Sequence, residues 1–326
     1  MIAAVFWFLV SDALALEVVA TLPYLGSITH EIAPDAEIVV LARATEDPHY
    51  LSPTPALMAK VQRADLYVET GMSLELWSSR LLDAAGNPKI RPGQPGYVLA
   101  STGVPRLEVP SAITRASGDL HPEGNPHIWL DPLNGPIVAD NIAEGLARVD
   151  PANAARYRDA AHAFRAKVWE RTFGADLVGA LGGDVLERLA RAHTLDAFLA
   201  SKGMTSRLAG WLSAGSALRG KPVVYHHASM AYFVDRFGLD VVGTIEDRPG
   251  IAPSAAHRAE LAAAMKERGV KLVLVTNYYD DRLGRVLGDE VGANVVQIPG
   301  DVNGDAASAD WFLFIDDLIR LHGGAP

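Results

Sequence analysis

Short β-branched runs alternate with amphipathic stretches in two separate blocks of this chain, and no other feature limits its fold as much. "EVVATL" (17–22), "AEIVVLA" (36–42), "DLYVET" (65–70) and "GYVLA" (96–100) make the first block. "PVVY" (222–225), "DVVGTI" (240–245), "KLVLVT" (271–276) and "NVVQI" (294–298) make the second. Amphipathic stretches such as 253–268 and 280–291 fall between the strands of the second block. Strands that alternate with helices imply parallel sheets covered on both faces. The expected fold is α/β with two lobes, each a mainly parallel sheet flanked by helices. A length of 326 residues suits two domains on a prior of roughly 150 residues each.

Between the blocks the chain reads as mostly helical. Asp131-Pro132 and Asp150-Pro151 each place an acid at the N-cap and proline at the first helical position. After Pro151, the residues Tyr157, Ala161, Phe164 and Val168 make one apolar stripe at helical spacing. A helix over 151–173 would be about 30 Å long, enough for a rigid strut between lobes. The division that follows is an N-terminal lobe at 16–150, the linking helix at 151–173 and a C-terminal lobe at 174–326. Residues 174–220, with Gly182-Gly183 and "SAGSALRGK", read as an irregular lead-in to the second lobe.

The N-terminus carries an apolar run from Ile2 to Val10, too short for a stable bilayer span. Ala13-Leu14-Ala15 then offers the small-x-small pattern of a signal-peptidase site. A secretory signal over 1–15 is the expectation; a buried first element is the competing one, favoured by Asp12 and by the lack of Lys or Arg before the run. Nothing later is long and apolar enough to cross a membrane.

Composition narrows the chemistry. A net charge of −10 argues against nucleic-acid binding, which needs a basic face. Cysteine is absent, so a metal site would have to use histidine nitrogen and carboxylate oxygen. Three of the ten histidines stand where proline stiffens the backbone or a strand has just ended. These are His49 in "ATEDPHYLSPTP", His127 in "NPHIWLDP" and His227 in "VVYHHASMAYF". Ligands of open α/β sheets bind outside the carboxyl ends of strands, where such residues sit. Taken alone, each fits a surface or hydrogen-bonded histidine as well as a ligand, and the spacings match no local zinc motif.

Four ordered segments settle on one comparison. "DPHYLSPTPALMAKVQRADLYVETGMSLELW", "GNPHIWLDP", "YHHASMAYFVDRFGL" and "GTIEDRPGIAPSAAH" resemble the zinc/manganese solute receptors of ABC transporters, often called cluster A-I. The resemblance runs from about Glu17 to the C-terminus. It implies a periplasmic receptor, not an enzyme, that closes two lobes over one divalent ion and delivers it to a membrane permease for import. It further implies metal ligands at His49, His127 and His227, the last by counting back from the Tyr232-Phe233 pair, which leaves His226 to pack beside it. For the fourth ligand the family's carboxylate falls in "QIPGDVNGD", at Asp301, one position out of register with the common pattern; Asp305, Asp280 or water are the alternatives. Ala56-Leu57 stands where many relatives carry an acid.

Three imidazoles and a carboxylate favour Zn²⁺, whereas Mn²⁺ prefers more oxygen, so manganese is the alternative cargo. His121, in "GDLHPEGNPH", could help to catch the metal, and Asp47 or Asp131 could orient ligand rings, although Asp131 is more simply an N-cap. His162 and His193 are expected on helices, in structural or solvent-facing roles. The receptor is expected to act as a monomer, with no nucleic-acid partner. Rival readings are a three-histidine zinc hydrolase or lyase, and an adhesin or metal chaperone on the same fold. No His-Glu-x-x-His or Gly-x-Ser-x-Gly pattern supports the hydrolase.

Overall fold

The computed structural model describes residues 15–111, 121–248, 250–302 and 307–324. The signal expected over 1–15 therefore lies, but for Ala15, outside the described residues, as does Asp305. No described helix is long and apolar enough to cross a membrane.

The first lobe holds β1 (Glu17–Ala20), α1 (Pro23–Ile32), β2 (Glu37–Val40), α2 (Pro55–Arg63), β3 (Leu66–Glu69), α3 (Ser78–Ala85) and β4 (Tyr97–Leu99). All its strand pairings are parallel, in the order β2-β1-β3-β4, with Val18 opposite both Ile38 and Leu66. Valines 18 and 68 are fully buried, as parallel strands covered on both faces require. Thr54 starts α2 by accepting the Leu57 amide on its hydroxyl, and Pro55 at the first helical position needs no such partner.

Two helices lead out of this lobe, α4 (Gly135–Val149) and α5 (Ala154–Phe173). The latter is the expected strut. Its 20 residues span about 30 Å. Tyr157, Ala161, Phe164 and Val168 are all buried on one side of it. Phe164 meets Trp311 and Phe312 of the last helix, with ring centroids 5.7 and 5.1 Å apart. The same helix also packs on α1 and α4 of the first lobe. One continuous apolar core thus includes Val18 and Leu25 at one end and Trp311 and Phe314 at the other. The lobes are joined by packing as well as by chain.

Three local expectations need correction. Asp150 does not cap the strut: a 3-10 turn, Pro151–Asn153, intervenes, and the Asp150 carboxylate is taken by the Tyr157 hydroxyl at 2.7 Å and the Asn153 amide at 2.7 Å. Residues 174–220 are not irregular either. They form α6 (Ala175–Leu181), α7 (Gly183–Arg191), α8 (Leu195–Ser201) and α9 (Gly210–Ala214). Gly174 and Gly182, at φ +87° and +83°, cut the segment into pieces too short for a hydrophobic period to show. His193 follows α7 in a turn, at φ +53°, and is not on a helix.

The second lobe runs β5 (Pro222–Tyr225), α10 (Ala231–Phe237), β6 (Asp240–Thr244), α11 (Ala255–Arg268), β7 (Leu272–Thr276), α12 (Arg282–Val291), β8 (Asn294–Ile298) and α13 (Trp311–Leu321). Its sheet is parallel in the order β6-β5-β7-β8, the same arrangement as the first. In each sheet the winding reverses beside the first strand, and the crevice at that reversal is the natural ligand position of an open α/β sheet.

Candidate metal centre

His49, His127 and His227 arrive from three loops, and each ring is fixed by an acceptor on its Nδ1. His49 follows β2 in the turn Asp47-Pro48-His49. The Asp47 carboxylate accepts both the His49 amide at 3.0 Å and its ring Nδ1–H at 2.5 Å. Trp77 pins the turn by donating its indole N–H to the Pro48 carbonyl at 2.9 Å. The second turn repeats the device as Asn125-Pro126-His127, where Asn125 Oδ1 accepts the His127 amide at 3.1 Å and Nδ1 at 2.9 Å. His227, just past β5, places its Nδ1 2.7 Å from Glu246 Oε2. Glu246 follows β6 and also accepts the Gly250 amide at 3.1 Å.

An acceptor on Nδ1 puts the proton there and makes Nε2 the nitrogen whose lone pair can meet a cation. The ring centroids stand 5.5 Å (His49–His127), 5.9 Å (His49–His227) and 6.0 Å (His127–His227) apart. One nitrogen from each residue lies within 4.8 Å of the other two, the only such group of three or more His or acidic ligands among the described residues. Nitrogens on one tetrahedral zinc, each about 2.1 Å from it, stand roughly 3.4 Å apart. A small inward movement suffices. His127 Nε2 is buried with no hydrogen-bond partner, a cost that a ligand would remove.

The electrostatics suit a cation. Burial, reinforced by the neighbouring imidazoles of His49, His227 and His121, holds the pKa of His127 well below the ordinary range, so it is a neutral donor. Burial works to raise Asp47, but its hydrogen bond and charge interaction with His49 outweigh that and leave it below the usual carboxylate range.

The other expected residues divide. Asp301 is buried outside the three-histidine group: its carboxylate accepts the Val302 amide at 2.7 Å and also the backbone N–H of Tyr24 in the first turn of α1. Burial raises its pKa well above the ordinary value, in spite of those two amides. Asp280 is also outside the group, paired with Arg282 at the surface. His121 comes closer. Its Nε2 is 3.1 Å from His49 Nε2, and its Nδ1 is 3.2 Å from the Ser73 carbonyl. His226 stacks on Tyr279 at 4.4 Å and is not part of the group. Asp131 caps the turn Pro132–Asn134 through the Leu133 amide and pairs with Arg236, so it orients no ligand ring. His162 is exposed on the strut.

Sequence reasoning passed over Glu246, Asn125 and Tyr279. Asn125 was the legible one, because Asx-Pro-His occurs twice and an Asx side chain readily accepts from the amide two residues on. Glu246 and Tyr279 are brought in only by the pairing of β5 with β6 and β7.

With this geometry in hand, comparisons place the chain among known proteins. The model of a family described as "Zinc-uptake complex component A periplasmic" matches residues 18–172 and 200–320. Among curated proteins, the zinc-binding lipoprotein AdcA of Streptococcus pneumoniae is 25% identical over 285 residues, covering 85% of this chain and 48% of that protein. The iron-binding protein YfeA of Yersinia pestis is 29% identical over 203 residues, covering 59% of this chain and 55% of YfeA. The chain spans about half the length of these curated relatives. A crystal structure of ZnuA superposes with a TM-score of 0.69 at 22% identity, over 95% of this chain and 99% of that one, a likeness of fold.

Proposed function

The chain belongs to the periplasmic zinc-uptake complex component A family, and from that premise we propose that it is a receptor that captures Zn²⁺ between its lobes and delivers it to the membrane permease of an ABC transporter. One observation carries the reading. Three imidazoles from two lobes converge with every Nδ1 tied down, and one of them has a buried, unpartnered Nε2. His49, His127 and His227 are the ligands in this reading, and the lobes are residues 16–150 and 174–326 about the strut.

Nitrogen donors favour Zn²⁺ over Mn²⁺, which remains the alternative cargo, as does iron, which the name of YfeA specifies for that relative. For the fourth position His121 has better support than Asp301. His121 already faces His49, whereas the Asp301 carboxylate is engaged by the backbone amides of Val302 and Tyr24. A hydrolase would need a free general base beside the ion, and the carboxylates of Asp47 and Glu246 are both occupied by ligand imidazoles. Secretion to the periplasm and action as a monomer belong to the same proposal.

Titration of metal-stripped protein with zinc tests it. One tight ion per chain is expected. Uptake of no zinc, or of several ions with equal weak affinity, would overturn the reading.

A further inference from the structure

Tyr279 comes from the second lobe, in the turn after β7, yet its hydroxyl donates to Asp47 Oδ2 of the first lobe at 3.2 Å. The other oxygen of that carboxylate accepts the Nδ1–H of His49 at 2.5 Å. The phenol ring is stacked on His226 at 4.4 Å and tilted against His227 at 5.8 Å. One side chain therefore reads the position of both lobes at once. Burial, together with neighbouring Tyr278, Asp47 and Glu246, keeps the phenol proton in place, so the hydroxyl is a dependable donor.

Other polar ties between the lobes avoid His49. Trp129 donates to the Gly300 carbonyl at 3.0 Å, Tyr232 to the Pro105 carbonyl at 3.0 Å, and Trp311 donates its amide to Ser27 Oγ at 3.0 Å. Asn125, which holds the His127 ring, is tied across to the Ala228 carbonyl at 2.8 Å, and among the described bonds only Tyr279–Asp47 reaches the group that holds His49. Building on the receptor reading above, we infer that Tyr279 is a positioning residue: its hydroxyl, by bracing Asp47 from the second lobe, makes the ligating orientation of His49 depend on lobe closure. Separation of the lobes frees one oxygen of Asp47, loosens the His49 ring and lowers its grip on the ion. Closure restores all three. Release would then be triggered by whatever prises the lobes apart, with no change in the ligands themselves.

Tyr279→Phe keeps the ring stack and removes only the hydroxyl. Loss of a hydrogen bond to a charged acceptor predicts about tenfold faster zinc release in a chelator chase, with one ion still bound per chain. In metal-free protein the imidazole ¹⁵N spectrum should show His49 as a single Nδ1–H tautomer, and as a mixture of tautomers in Tyr279→Phe. With Asp47→Asn as background, Tyr279→Phe should add little, because the brace acts only through that carboxylate. An unchanged release rate with an unchanged His49 spectrum would overturn the inference. So would a lowered melting temperature as the sole effect, or an undiminished effect in the Asp47→Asn background. If wild-type protein takes up no zinc, the receptor reading fails, while the His49 spectrum still decides whether the brace exists.

Discussion

Glu246 Oε2 lies 2.7 Å from His227 Nδ1, and this bond joins the ends of two neighbouring strands, β5 and β6, at the wall of the metal centre. It fixes the tautomer of His227 and aims its other nitrogen into the cleft. Partners of this kind typically cost about 10- to 100-fold in metal affinity when removed. Glu246→Ala should fall in that range in a competition titration against a chromophoric chelator. Glu246→Gln, whose amide oxygen still accepts a hydrogen bond, should recover part of the loss. Wild-type affinity in Glu246→Ala would mean that His227 needs no such support.

The ligand set separates by substitution. His227→Ala should abolish tight binding, whereas His226→Ala should change it by less than about tenfold, since His226 stacks on Tyr279 outside the histidine group. His121→Ala should weaken binding more than Asp301→Ala, whose main effect should be on thermal stability through the lost acceptor for the Val302 and Tyr24 amides. The reverse order would return the fourth position to Asp301. Calorimetric zinc titrations of the four variants decide it.

Asp131 and Arg236 form a buried pair, with Nε–Oδ1 and Nη2–Oδ2 distances of 2.9 and 2.8 Å and about 5% exposure on each side chain. Arg236 also donates to the Ala190 carbonyl at 2.9 Å, so one guanidinium ties α10 to the loop after His127 and to α7. Arg236→Met leaves the Asp131 carboxylate buried without its partner, which costs on the order of 3–5 kcal/mol. Urea unfolding should show that loss. A change below about 1 kcal/mol would mean that water replaces the guanidinium.

His322 sets an acid limit. It is fully buried, donating Nδ1–H to the Leu318 carbonyl (2.7 Å) and accepting the Tyr225 hydroxyl on Nε2 (2.9 Å), and burial pushes its pKa down to about 4. The unfolded chain binds this proton near pH 6.5, the native chain only near 4, so stability is lost as the pH falls through that window. Glu75 acts in the opposite sense. Burial, with nearby Glu69, raises its pKa to about 7, so its contribution is present below about 4.5 and is lost as the pH rises. The comparison of wild type with His322→Gln isolates the histidine. Between pH 7 and 4 the wild type should lose roughly 3 kcal/mol relative to the variant in denaturant unfolding. Parallel pH profiles for the two proteins would exclude the effect.

The sequence by itself determined the eight strands, because each is a short run of β-branched, aromatic and other apolar residues bounded by turn signals and needs only local pattern to be seen. It also determined the strut, whose stripe from Tyr157 to Val168 repeats at helical spacing, and the loops that carry His49, His127 and His227. The short helices between 174 and 220 escaped, since pieces of five to nine residues show too few turns for a period. Tertiary structure decided what surrounds each imidazole. Glu246 lies 19 residues from His227, Tyr279 lies 232 from Asp47, and Asp301 accepts the Tyr24 amide at the start of α1. Such contacts depend on strand order and on how two lobes meet across a long helix. No local pattern in the chain encodes those distances, because they exist only after both sheets have formed and packed on a common core.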